Sequence, residues 1–142
     1  MTKCRTGNSL AVMTEEQMLG RTVPIEEYGR IDTFPVDRPI TVTFVTQELQ
    51  ALCPAVEGIQ PDIYEATIRY TAVERAIESK SLKLWLTTYR DRRIFAEHLA
   101  SELQDSITAL DGVSNVSVTL KQNIRGGIET EVVAQPRNYH PQ

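Results

Sequence analysis

The sequence predicts an α+β fold in which two pairs of antiparallel strands flank a pair of helices, in the order ββααββ. Three observations carry this. Residues near 40–46, 66–72, 116–120 and 128–134 alternate side-chain type with the two-residue period of a strand and are rich in Val, Ile and Thr. Between the second and third of these stretches, Leu82, Trp85, Leu86 and Tyr89 fall at i, i+3, i+4 and i+7, and Phe95, Leu99, Leu103 and Ile107 fall at steps of four. The 142 residues are 41% hydrophobic and 24% charged, which suits one globular domain with a real core.

Residues 1–35 are interrupted by Gly7, Gly20, Pro24, Gly29 and Pro35 and read as an N-terminal arm, with a short helix around Glu15–Leu19. Residues 36–135 form the domain, and 136–142 a polar tail. In the domain, Ile40, Val42, Phe44 and Thr46 alternate with Thr41, Thr43 and Val45 as a first strand. A connection over 48–63 contains Cys53-Pro54, Gly58 and Gln60-Pro61-Asp62. Ala66, Ile68, Tyr70 and Ala72 then alternate with Thr67, Arg69 and Thr71 as a second. A helix from near Ser79 to about Arg92 is followed by another, which Asp111-Gly112 ends. Val116, Val118 and Leu120 mark the third strand, Arg125-Gly126-Gly127 a turn, and Ile128–Ala134 the fourth strand. Two helices cover one face of such a sheet. The other face calls for a partner, so a homo-oligomer is expected.

Composition narrows the function. A net charge of −4 supplies no field for nucleic acid, and no direct nucleic-acid contact is expected. No apolar run approaches the roughly 20 residues of a membrane helix, and MTKCRTGNSLAVM has no secretory apolar region. A cytoplasmic, membrane-free protein is expected. Cys4 and Cys53 make neither a disulfide framework nor a metal site, and His98 and His140 lack partners at ligand spacing. No metal is expected, nor a role for Cys4. No Gly-rich dinucleotide fingerprint follows a strand, so a nucleotide cofactor would bind outside a Rossmann scheme.

The stretch Glu78-Ser79-Lys80-Ser81-Leu82-Lys83-Leu84-Trp85 reads as a helix start that Ser79 or Ser81 can cap. Lys80 and Lys83 are anomalous in a first turn, where the helix dipole disfavours cations. Lysines and hydroxyls at a helix N-terminus suit a phosphate-bearing ligand; the plainer reading is a solvated helix start. Cys53, before a proline in a loop, is either a small buried hydrophobe or a nucleophile. A nucleophilic thiol needs an acid nearby, and Asp62 in the same loop is the candidate, unless it is only a turn residue. Glu97 in the first turn of the second helix is favoured by the dipole, and it could also accept two N–H bonds from a purine-like ring. Arg125-Gly126 is a hairpin turn by default, and its bare backbone also admits a phosphate.

Taken together, these segments resemble the unimodular 7-cyano-7-deazaguanine reductases, the nitrile reductases of queuosine biosynthesis. The resemblance is carried by Leu52-Cys53-Pro54, Gln60-Pro61-Asp62, Glu78 to Trp85, Phe95 with Glu97, and Arg125-Gly126-Gly127-Ile128. It implies a tunnelling fold that assembles into barrels, with active sites between subunits. It also implies that Cys53 attacks the nitrile carbon to give a thioimidate and that Asp62 supplies a proton. Two NADPH molecules then carry 7-cyano-7-deazaguanine to the 7-aminomethyl compound. Ser79, Lys80, Lys83, Arg125 and Gly126 would hold NADPH, and Ile77, Glu78, Ser79 and Glu97 the deazaguanine. Two departures stand out. The histidine usual before the glutamate is Ala96 here, with His98 after it, and the Cys53–Asp62 spacing is two residues longer than usual. One alternative is amine attack on the same thioimidate, as in relatives that act on modified nucleic acid. Another is a non-catalytic ligand-binding module of the same fold.

Overall fold

The computed structural model describes residues 16–141. Its strands are β1 (Thr33–Pro35), β2 (Ile40–Leu52), β3 (Pro61–Ala72), β4 (Arg75–Ile77), β5 (Val113–Arg125) and β6 (Ile128–Ala134). Its helices are α1 (Ser79–Thr87) and α2 (Ala96–Thr108), both between β4 and β5. The main sheet is antiparallel in the order β2-β3-β5-β6, and β1 pairs with β4 in a small ribbon. The fold is α+β, and the ββααββ order holds for the main sheet and its helices.

The inward face of β3, from Asp62 through Tyr64, Ala66, Ile68 and Tyr70 to Ala72, is buried, and it packs with Val116, Val118 and Leu120 of β5 beneath the helices. Leu99, Leu103 and Ile107 of α2 have no exposed surface. Phe95 is a correction. It is the residue before α2 and is 48% exposed, so it is not part of the buried stripe. The outer face carries a row in register, Val45–Thr67–Thr119–Val133, of β-branched side chains with no helix over them.

The first strand is longer than expected. The pairing of β2 with β3 shifts between Thr46 and Leu49, where the Glu48 N–H bonds the Thr46 hydroxyl at 3.1 Å. This bulge swaps the faces, so that Val42 and Phe44 point inward before it and Leu49 and Ala51 after it. The phase change hides the second half of the strand from a two-residue pattern. The connection is therefore 53–60 rather than 48–63, and Asp62 lies in a strand rather than a loop.

Helix α1 is shorter than expected. The hydroxyls of Thr87 and Thr88 bond the Leu84 and Trp85 carbonyls, at 2.6 and 2.7 Å, and the chain continues to Arg92 through tighter turns. Its cap is neither Ser79 nor Ser81. Glu78 is the N-cap, accepting from the Lys80 and Ser81 N–H groups at 2.7 and 2.9 Å. Ser81 instead donates to the Glu78 carbonyl and accepts from the Asp32 N–H, both at 2.8 Å. Asp32 in turn accepts from the N–H of fully buried Met18 at 2.8 Å. Residues 16–35 are thus tied to the start of α1. The helix expected around Glu15–Leu19 is absent over residues 16–19, which are irregular, and a single 3-10 turn occupies Ile25–Glu27. Glu15 and Cys4 lie outside the described residues.

Gly112 closes the connection into β5. Its φ of +77° favours glycine, and its carbonyl accepts the N–H groups of Val73, Glu74 and Arg75 at 2.9, 3.1 and 3.3 Å. A Cβ there would stand 2.8 Å from the Arg75 backbone nitrogen. Gly112→Ala is therefore expected to destabilise the fold by about 2 kcal/mol or more, combining a left-handed residue with a backbone clash, and thermal melting reads this directly.

Candidate active site

Pairing along the β2–β3 hairpin draws the candidate nucleophile and acid together. Ala51 pairs with Asp62 and Leu52 with Pro61, and the Cys53 N–H donates to the Gln60 carbonyl at 2.9 Å. The nine-residue separation in sequence becomes adjacency across one hairpin. Asp62 is buried and Cys53 half-buried. Arg93, which the sequence reading passed over, straps the loop between them. Its guanidinium donates to the carbonyls of Cys53, Val56, Glu57 and Gly58 at 3.0–3.4 Å. The longer loop is therefore held rather than left loose. Leu52 also bonds the backbone on either side of Arg93, at Arg92 and Ile94, which brings the start of α2 to the same end of the sheet.

Glu97 stands in that first turn of α2 and is exposed. Ala96 is buried beside it, and His98 is exposed. From the third direction comes Arg125, at the end of β5. Its Nη2 donates to the Pro61 carbonyl at 2.6 Å and lies 2.5 Å from Asp62 Oδ1. The directed hydrogen bond goes to the carbonyl, leaving Asp62 Oδ1 an ionic contact without a hydrogen bond. Gly126 follows in the exposed turn with φ +55°.

Tyr64 completes this end of the sheet, and the sequence reading missed it. It is 1% exposed, its hydroxyl has no hydrogen-bond partner, and its phenol is pushed well above the ordinary range. Burial is the main cause. Asp62 adds to it, Arg125 opposes it, and Glu97 and Cys53 contribute further. The sequence carries no distinct signal for it, since a tyrosine two residues after Asp62 is an ordinary strand residue.

The remaining candidates lie elsewhere. Ile77 donates its N–H to the Tyr70 hydroxyl at 2.8 Å, and so belongs to the far end of β3, as do Glu78 and Ser79. Eight residue steps separate Asp62 from Tyr70 along this strand, about 26 Å at roughly 3.3 Å per residue. Ser79 and Lys83 line a cleft of about 260 Å³ between α1 and β2, together with Arg90, Glu48 and apolar residues that include Phe44 and Leu86. Lys80 turns away, its ammonium donating to the Arg21 carbonyl. The Lys80 and Ser81 N–H groups, which could have met a phosphate, are bonded to the Glu78 carboxylate. Among the described residues no helix is long and apolar enough to cross a membrane.

The family model described as QueF-like protein matches residues 61–140. The chain belongs to the QueF-like family. Within it, the chain is 35% identical over 123 residues to a protein of Caldicellulosiruptor bescii named NADPH-dependent 7-cyano-7-deazaguanine reductase, covering 81% of this chain and 92% of that one. A protein of Syntrophus aciditrophicus with the same name is 36% identical, over 75% of this chain and 76% of its own. A crystal structure of the archaeosine synthase QueF-Like in the apo form superposes with a TM-score of 0.63 at 27% identity, covering 70% of this chain and 96% of that one. The fold of the QueF-like family, the tunnelling fold expected from the sequence, is thus the fold of this chain.

Proposed function

We propose that this QueF-like chain is an NADPH-dependent nitrile reductase that converts 7-cyano-7-deazaguanine to its aminomethyl form through a thioimidate at Cys53. The observation that carries the reading is the convergence of Cys53, Asp62 and Glu97 at one end of the sheet, in a chain whose similar proteins bear that reductase name. Cys53 is the nucleophile, Asp62 passes a proton to the nitrile nitrogen, and Glu97 accepts N–H bonds from the base.

The chain's residues fit the cofactor. Ser79, Lys83 and Arg90 give the α1–β2 cleft two cations and a hydroxyl suited to phosphates, beside apolar wall for rings. When bound, NADPH supplies the hydride. Lys80 and the Arg125-Gly126 turn belong to the same proposed set, although Lys80 is tied to Arg21 and Arg125 to Pro61 and Asp62 in the single chain. Lys83→Ala is expected to raise the NADPH concentration needed for half-maximal rate by about 10- to 100-fold, since a charge-assisted contact is worth about 1.5–3 kcal/mol, while leaving the Cys53 adduct intact.

The proposed site is shared between copies of the chain. Ile77, Glu78 and Ser79 sit toward the Tyr70 end of β3, about 26 Å along the strand from Asp62, which favours their meeting a base held by the Cys53 end of a neighbouring copy. The Cys53 end also exposes Val56, Ile59, Phe95, Ile124 and Ile128, an apolar rim suited to a second copy. Cytoplasmic residence agrees with a biosynthetic reductase.

The test mixes protein, 7-cyano-7-deazaguanine and NADPH, and follows absorbance and intact mass. Two NADPH oxidised per nitrile consumed is the expected result. An adduct with no NADPH oxidation would favour amine transfer instead, and neither signal would leave only a binding module.

A further inference from the structure

Among the described residues, two buried side-chain oxygens lack a hydrogen-bond partner: the Tyr64 hydroxyl, and Asp62 Oδ1, which has the ionic contact with Arg125 Nη2 at 2.5 Å. Both belong to β3, two residues apart, and so point to the same face of the strand. Buried polar atoms are normally paired, and an unpartnered hydroxyl beside a carboxylate oxygen held only by an ion pair marks a place where a ligand's polar group belongs. Tyr64 packs by its ring alone, so phenylalanine would fill the position equally well for the fold. The hydroxyl is the unexplained part.

Its surroundings say what it could touch. Asp62 is its strand neighbour, and Leu49 and Gln122 face it across β2 and β5. The charged and nucleophilic groups that influence it are Asp62, Arg125, Glu97 and Cys53. Burial raises the phenol, so the hydroxyl keeps its proton at neutral pH and acts as a hydrogen-bonding group, not as an acid.

We propose that Tyr64 is a further substrate-contacting residue, whose hydroxyl donates a hydrogen bond to the nitrogen of the group that Cys53 attacks. This rests on the nitrile reading above. In the adduct-forming step Cys53 Sγ bonds to the nitrile carbon, one C–N π bond opens, and its electron pair goes to nitrogen. The thiol's proton ends on that nitrogen, carried by Asp62, so thiol plus nitrile gives thioimidate with atoms and electrons balanced. The nitrogen then bears one N–H and one lone pair. Asp62 Oδ1 accepts the N–H, and the Tyr64 hydroxyl donates to the lone pair. The Asp62 oxygen and the Tyr64 hydroxyl form a matched acceptor and donor, set in place before charge develops on nitrogen.

The test is Tyr64→Phe in the full chain, compared with wild type for the rate of adduct formation with 7-cyano-7-deazaguanine, for NADPH affinity and for melting. Adduct formation is expected to slow about 10- to 100-fold, the loss of one hydrogen bond at developing charge, with NADPH affinity unchanged and melting unchanged or higher. A rate within twofold of wild type would overturn the proposal. So would a slowed rate accompanied by lower melting, which would make the hydroxyl structural. A wild-type protein that forms no adduct would remove the nitrile reading and this proposal with it.

Discussion

Cys53→Ala is expected to leave no covalent adduct with 7-cyano-7-deazaguanine and no NADPH oxidation, in a protein that still folds. The expectation of a folded variant comes from how Cys53 is held. Its N–H bonds Gln60 and its carbonyl accepts from Arg93, and neither contact uses the sulfur. The side chain is half-buried and in no disulfide, so its truncation costs about 1 kcal/mol of stability. The chemistry has no such reserve, because an alanine cannot attack a nitrile carbon. Intact mass and absorbance read the two losses, and melting reads the fold. An adduct that survives the substitution would assign the nucleophile elsewhere and end the proposed mechanism.

Asp62→Asn is expected to cut turnover by about 10²- to 10⁴-fold, the usual range for loss of a positioned proton carrier. Asparagine matches aspartate in size, so the buried position stays filled. Arg125 loses its ionic partner and keeps its hydrogen bond to the Pro61 carbonyl. With the guanidinium about one-third exposed, solvent takes over part of that lost contact, and the stability change stays small. Single-turnover measurement places the defect. Slow adduct formation with normal NADPH affinity is expected, whereas a drop of less than tenfold would take Asp62 out of the proton path.

The elements were legible wherever periodicity was clean. Helix α2 showed itself through Leu99, Leu103 and Ile107, and the outward row of β3 through Thr67, Arg69 and Thr71. What escaped were interruptions of period. The bulge at Thr46–Leu49 reverses the faces of β2, and no pattern of alternation survives a change of phase. Two threonines end α1 by bonding their own helix, which its apolar spacing gave no sign of. Capping was misread because Ser79 and Ser81 both have the right chemistry, and only the backbone shows Glu78 to be the residue outside the helix. At the candidate site, Cys53, Asp62, Glu97 and Arg125 stood out as residue types in unusual company. Tyr64 did not, since an inward tyrosine in a strand is ordinary until its hydroxyl is found to have no partner. Arg93 was hidden for a similar reason: four carbonyls of one loop cannot be read from a single arginine.

The strand that keeps Asp62 and Ile77 apart also bears on inheritance. If each working centre borrows one end from each of two chains, a chain damaged at its Cys53 end still lends a sound Ser79 end to its neighbour. Two variants, each inert alone and each defective at the opposite end, would restore activity when co-assembled. A copy defective at both ends, conversely, would silence a centre with each healthy chain it joins. Complementation and dominance, ordinarily properties of genes, would here follow from the length of one β-strand.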